Sequence, residues 1–216
     1  MRRNHLQERA ASTDVETQLD AVRGLAGRCR ACDLWKSATA TVFGEGAAPA
    51  ELMFLGEQPG DHEDREGHPF VGPAGHMLDK ALADAGIDRN RVYLSNAVKH
   101  FKFVRGRNGK TRIHKSPNRA EIAACRQWWE RELQIVQPVV LGLLGATAAQ
   151  TVLGPAFRVS KQRGERFVLP SGIVAIATVH PSAVLRARED RAGAYAGFVN
   201  DLRLMAAEAR APSDPD

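Results

Sequence analysis

Four short apolar runs, Leu52–Gly56, Val92–Ala97, Val139–Gly145 and Ile173–Val179, alternate along the chain with segments of helical periodicity. That alternation is the strongest constraint on the fold. A strand that is apolar on both faces must be covered on both, and strands separated by helices return parallel to one another. Helical patterns fall at Gly75–Ala85, where Met77, Leu78, Ala81, Leu82 and Ala85 share a face, and at Asn118–Val136, Ala146–Leu153 and Arg191–Ala209. Asn118 followed by Glu121 has capping-box spacing. The expected fold class is therefore α/β, with three layers, α/β/α, around a central four-stranded, mostly parallel sheet. In such sheets ligands bind beyond the carboxyl ends of the strands. The loops after Gly56, Ala97, Gly145 and Val179 are where chemistry is expected.

A chain of 216 residues suits one domain, placed at residues 15–210. Residues 1–14 are polar and read as a disordered N-terminal segment. Thr13 with Glu16 three residues on reads as a helix start, running to about Ala26. Ala211–Asp216, with two prolines and two aspartates, reads as a disordered tail. No apolar run approaches the ~18–20 residues of a membrane span. The polar start after Met1 lacks the apolar core of a secretory signal. Three cysteines do not build a disulfide scaffold. A reducing, cytoplasmic location and a monomer are the default expectations.

The net charge is +5, and its distribution matters more than its size. Between Lys99 and Arg119 the chain carries four lysines, four arginines and no acid. A basic segment on a slightly acidic body is the footprint of a polyanion-binding surface, with a solvated mobile loop as the alternative.

Three of the four loops carry reactive side chains. The first holds Gly56-Glu57-Gln58-Pro59-Gly60-Asp61 and then Glu63-Asp64; the second holds Asn96, Lys99 and His100; the last holds His180-Pro181-Ser182. None is a dinucleotide or Walker loop, so nucleotide binding is not indicated. Cys29-x-x-Cys32 has chelating spacing, with His100 and Cys125 further along. Spacing alone admits zinc, a [4Fe–4S] cluster or free thiols.

Taken jointly these motifs resemble those of the iron–sulfur uracil-DNA glycosylases. The resemblance rests on Gly56-Glu57-Gln58-Pro59-Gly60, Glu63-Asp64, Gly67, Pro69-Phe70-Val71-Gly72 and Ala74-Gly75, followed in order by Val92-Tyr93, Asn96-Ala97-Val98-Lys99 and His180-Pro181-Ser182. It runs from about Cys29 to about Arg186. Gln58 after the motif glutamate, and Lys110-Thr111-Arg112-Ile113-His114 within the basic segment, are similar to UdgX, a branch whose histidine becomes attached to the deoxyribose of uracil-containing DNA. Thr111 departs from that branch, which has arginine there.

The resemblance implies a uracil-DNA-glycosylase-like fold and a [4Fe–4S] cluster held by Cys29, Cys32, His100 and Cys125. It implies a flipped uracil read by Asn96, stacked on Phe70 and walled by Gln58, Gly56 and Gly60. His180 would stabilise the departing uracil anion, and Glu57, with Asp61 and Asp64 as helpers, the cationic sugar. His114 would capture the sugar C1′, with Glu57 holding the other ring nitrogen. Lys99, Lys102, Lys110, Arg112, Lys115 and Ser182 would contact DNA. Phe101 and Phe103 either stack on bases or form the inward face of a short strand. The expected activity is a single-turnover, covalently trapped uracil-DNA glycosylase acting in DNA repair. A multiple-turnover glycosylase and a non-catalytic iron–sulfur DNA-binding module are the alternatives.

Overall fold

The structure is a computed structural model that describes residues 2–107 and 109–211. The first helix, α1, spans Arg2–Ala26. It starts at Arg2, not at Thr13, because the polar residues ahead of Thr13 are mostly good helix formers. Thr13 sits inside the helix, where its carbonyl accepts from the Thr17 hydroxyl at 2.8 Å. Most of the Ala211–Asp216 tail lies outside the described residues.

The four apolar runs form the centre of the sheet: β2 (Leu52–Gly56), β3 (Val92–Asn96), β6 (Val140–Leu144) and β8 (Val174–Thr178), each buried along its whole length. Two more strands extend this sheet, β1 (Glu45–Gly46) and β7 (Arg166–Val168). The order is β1-β3-β2-β6-β8-β7. The central four are parallel and the edges antiparallel. The expected four strands are thus the core of a six-stranded mixed sheet. The edge strands were not legible because they are two and three residues long and mostly exposed. A separate antiparallel ribbon is formed by β4 (Phe103–Arg105) and β5 (Arg112–His114), within the basic segment.

Period-two alternation divides the strand residues between two cores. Met53, Leu55, Tyr93, Leu141 and Leu143 join one, with Trp128, Trp129 and Val136 of α4 (Arg119–Val136) and Leu19 of α1. Leu52, Phe54, Leu94 and Ile176 join the other, with Leu78 and Leu82 of α3 (Pro73–Asp84) and Phe198 and Leu202 of α8 (Arg191–Arg210). Shorter helices follow β2, β6 and β8: α2 (Asp61–Glu66), α5 (Ala146–Leu153) and α7 (Pro181–Arg186); α6 (Val159–Gln162) precedes β7. Asn118 caps α4 reciprocally with Glu121, as the spacing predicts. No described helix is long and apolar enough to cross a membrane.

Candidate active site

A cavity of about 850 Å³ opens at the carboxyl rim of the parallel strands. Glu57, Gln58, Phe70, Asn96, His114 and His180 all line it, so residues from three loops and the ribbon converge. Gly60, Asp61 and Ser182 also border it.

The chain makes room for these side chains with glycine. A Cβ on Gly56 would fall 2.4 Å from Asn96 Oδ1 and 2.8 Å from the Phe70 ring. Phe70 itself has φ of 58°, a left-handed conformation that is strained for an aromatic residue. A Cβ on Gly75 would lie 1.7 Å from the Phe70 carbonyl oxygen, so only glycine lets α3 approach that turn. The Phe70 and His180 rings are nearly parallel, 6.5 Å between centroids.

His180 is the N-cap of α7. The Ser182 backbone N–H donates to its Nδ1 at 3.2 Å, and the Ser182 hydroxyl lies 2.8 Å from the same atom. Nδ1 therefore holds the lone pair and Nε2 carries the hydrogen. Burial, reinforced by Arg186 and His114, pushes its pKa down to about 4. The ring is a neutral donor at ordinary pH.

Glu57 is held from the first turn of α5. Its Oε2 accepts a hydrogen bond from the Thr147 hydroxyl, while Oε1 is buried without a hydrogen-bond partner among the described residues. Thr147 was missed from sequence. The signal was its place in the first turn of α5, just past the one strand end that showed no reactive motif.

His114 ends β5, and its Nε2 is 3.7 Å from Glu57 Oε1. The Gln58 amide nitrogen lies 2.9 Å from the same ring nitrogen. Glu57 thus approaches the same nitrogen as the Gln58 amide, Nε2, and not the other ring nitrogen of the sequence expectation. Gln58 Nε2 also donates to the carbonyls of Lys102 (3.2 Å) and Lys115 (3.0 Å), and Gln58 Oε1 accepts from Lys102 N–H. Gln58 therefore fastens both roots of the ribbon as well as facing the cavity.

Two residues expected at DNA face inward. Arg112 is only 8% exposed; its guanidinium pairs with Asp61 and, at 2.5 Å, with Asp64, and it packs over the rings of Phe101 and Phe103. Asp64 is fully buried and also accepts from Thr39 N–H. Burial pushes the Asp61 carboxyl up, but hydrogen bonds from Arg65 and Arg112 outweigh it and hold it below its ordinary value. Asp61 and Asp64 thus anchor the ribbon; Asp61 also borders the cavity, whereas Asp64 is buried. Lys99 is 1% exposed and paired with Glu132 at 2.6 Å, which removes it from any phosphate-facing set. Glu132, an acid on the apolar stripe of α4, was also missed from sequence. Lys102 is paired with Glu121 at 2.9 Å. Lys110 and Lys115 are exposed on the ribbon. Phe101 is buried and stacks on the half-buried Phe103 of β4, 5.2 Å between centroids.

Cys29 and Cys32 follow α1 and pack against the core that contains Cys125. Burial pushes the Cys125 thiol up to about 11, and Cys32 and Cys29 add to the rise while Lys99 opposes it. Burial likewise raises Cys32, with Cys29 contributing. The three sulfurs therefore share one neighbourhood. Among the described residues no three His, Cys, Asp or Glu side chains close a single-ion metal site. Three thiols and an imidazole form the soft donor set that either zinc or an iron–sulfur cluster takes. His100 is buried, and burial lowers its pKa, so it is neutral as a ligand must be. Its Nε2 is hydrogen-bonded to the Thr41 hydroxyl at 2.9 Å, leaving only Nδ1 for a metal.

Fold and cavity together define an α/β protein whose site is built at the carboxyl rim of a parallel sheet. Residues 43–203 match the uracil DNA glycosylase superfamily, and the chain belongs to it. It is 36% identical over 176 residues to the type-4 uracil-DNA glycosylase of Thermotoga maritima, covering 81% of this chain and 87% of that one. It is 35% identical over 165 residues to that of Sulfurisphaera tokodaii (73% and 71%), and 35% over 178 residues to that of Archaeoglobus fulgidus (79% and 84%).

Proposed function

We propose that the protein is a DNA-repair uracil-DNA glycosylase that excises uracil and becomes linked through His114 to C1′ of the resulting abasic deoxyribose. The observation that carries this reading is the position of His114 Nε2. It points into the cavity, 2.9 Å from the Gln58 amide and 3.7 Å from Glu57 Oε1. Gln58 has two amide hydrogens and three acceptors around them, two of which are carbonyls. The imidazole nitrogen accepts from that amide with its lone pair and is readily released, so the proton sits on Nδ1.

The flipped base lies between Asn96, Phe70 and His180. As the glycosidic bond breaks, the electron pair leaves with uracil, and His180 Nε2–H donates to the carbonyl where charge develops. Glu57 Oε1, which has no hydrogen-bond partner among the described residues, faces the cationic sugar. The Nε2 lone pair of His114 forms the bond to C1′. The imidazolium then loses its Nδ1 proton to solvent, and the uracil anion gains one. Cys29, Cys32 and Cys125, with His100, are the residues that would hold a [4Fe–4S] cluster, whose contribution is to tie α1 to α4. Lys110, Lys115 and Ser182 are the remaining candidates for DNA contact.

The relatives are type-4 uracil-DNA glycosylases, and the second reading is a conventional multiple-turnover glycosylase, with water in the place of His114. One experiment separates the two. Uracil-containing oligonucleotide is incubated with protein and run on a denaturing gel, while free uracil is quantified. The covalent reading expects one equivalent of shifted band whose sugar maps to the His114 peptide. In His114→Ser the shifted band disappears, while uracil release persists beyond one equivalent. An adduct that survives in His114→Ser would end the histidine mechanism.

A further inference from the structure

We propose that Lys99, held by Glu132, is a positioning residue for base recognition and for departure of the base; the proposal rests on the glycosylase reading above. The Lys99 ammonium uses all three of its donors on buried partners. It donates to Ser95 Oγ at 2.6 Å, to the Asn96 carbonyl at 3.0 Å and to Glu132 Oε2 at 2.6 Å. Glu132 is itself fixed by Ser95 Oγ at 2.6 Å, Gly44 N–H at 2.7 Å and Tyr93 OH at 3.4 Å. Both side chains are essentially without solvent access.

A buried ion pair is a weak source of stability, since well-packed apolar residues of similar volume serve as well or better. The direction of this pair is more informative. Glu132 lies on the α4 side and the ammonium lies under the carbonyl of Asn96, the residue placed to read the base edge. Asn96 is the last residue of β3, where the chain bends away. Ala97 N–H then bonds Gly56 O at 2.9 Å and Val98 N–H bonds Glu57 O at 3.0 Å. The segment Asn96–Lys99 therefore carries Asn96 and braces the backbone of Glu57, and the ammonium is the tie that closes the bend. It holds the backbone of Asn96 and leaves the side-chain amide on the cavity wall. A displaced amide would cease to stabilise charge on the uracil carbonyl as the base departs, so the loss should depend on the leaving group.

The test uses the full chain with two oligonucleotides, one carrying uracil and one 5-fluorouracil, a better leaving group. Lys99→Met combined with Glu132→Gln removes both charges without leaving a bare buried carboxylate. Folding is checked by circular dichroism and thermal melting. The expected result is a loss of about tenfold in single-turnover release of uracil, a clearly smaller loss with 5-fluorouracil, and unchanged affinity for uracil-free DNA. Ser95→Ala keeps both charges paired and removes only the hydroxyl that orients the ammonium; it gives the same pattern at smaller size and carries the test if the double variant does not fold. No loss, or an equal loss with both bases, overturns the proposal. A wild-type protein that releases no uracil would instead overturn the glycosylase reading itself.

Discussion

Replacing Arg112 with Met tests whether this side chain is a phosphate contact or a latch. Its guanidinium bonds both carboxylates, the Asp61 carbonyl at 3.2 Å and the Thr39 hydroxyl at 3.3 Å. Removing one partner of a buried pair typically costs about 3–5 kcal/mol. Asp64 keeps its bonds from the Thr39 backbone, so the lower figure applies. About 3 kcal/mol shifts the ratio of docked to undocked ribbon by roughly a hundredfold. Adduct formation should therefore slow by up to that factor, because His114 rides on the ribbon. Uracil release should slow less, since Asn96 ends β3 and His180 caps α7, both outside the ribbon. The assay is rapid quench with both products quantified, together with binding of uracil-free DNA across a salt series. A phosphate contact contributes about 0.9 to the slope of log affinity against log salt. The latch reading expects no change in slope. A slope lower by that amount, with the ratio of adduct to uracil unchanged, would refute it.

Lys115→Met should show the reverse pattern, a shallower salt slope in a binding titration with adduct chemistry intact. Cys32→Ala should lose iron by metal analysis and melt at lower temperature, because the cysteines join α1 to α4. Gly75→Ala should displace Phe70, seen as weaker uracil release and a lower melting point, since its Cβ would sit 1.7 Å from the Phe70 carbonyl oxygen. His180 is pushed down to about 4 from 6.5, so it favours the native state while neutral. That stabilisation is complete above pH 6.5 and falls away toward pH 4, by about 3 kcal/mol in all. Urea melts of wild type and His180→Asn should accordingly converge as pH drops; a constant gap would show the ring is not buried neutral.

The central strands were legible because double-sided burial writes continuous apolar runs, and the rim loops followed from them. What sequence concealed was direction. Eight like charges in one stretch look like one surface, yet Lys99 and Arg112 face inward and Lys102 is paired with Glu121. Their acids come from elsewhere in the chain, Glu132, Asp61 and Asp64, and no local pattern announces such pairing. The edge strands stayed hidden for a different reason, being too short to show periodicity. Thr147 belongs to a third kind, an ordinary residue made useful by the side chain it faces.

These inward charges divide the site into two mechanical parts. The groups proposed to break the bond, Asn96 and His180, stand at the end of β3 and at the N-cap of α7, in a frame fixed by two packed cores. The group proposed to capture the sugar, His114, stands on a two-stranded ribbon outside the main sheet. An isolated ribbon is marginal in water. Its position rests on the Gln58 amide at its roots and on Arg112 across its face. Loosening those ties should affect capture before cleavage. Loosening the Lys99 tie should affect cleavage first, and capture only as a consequence, because His114 has no carbon to attack until the base has begun to leave.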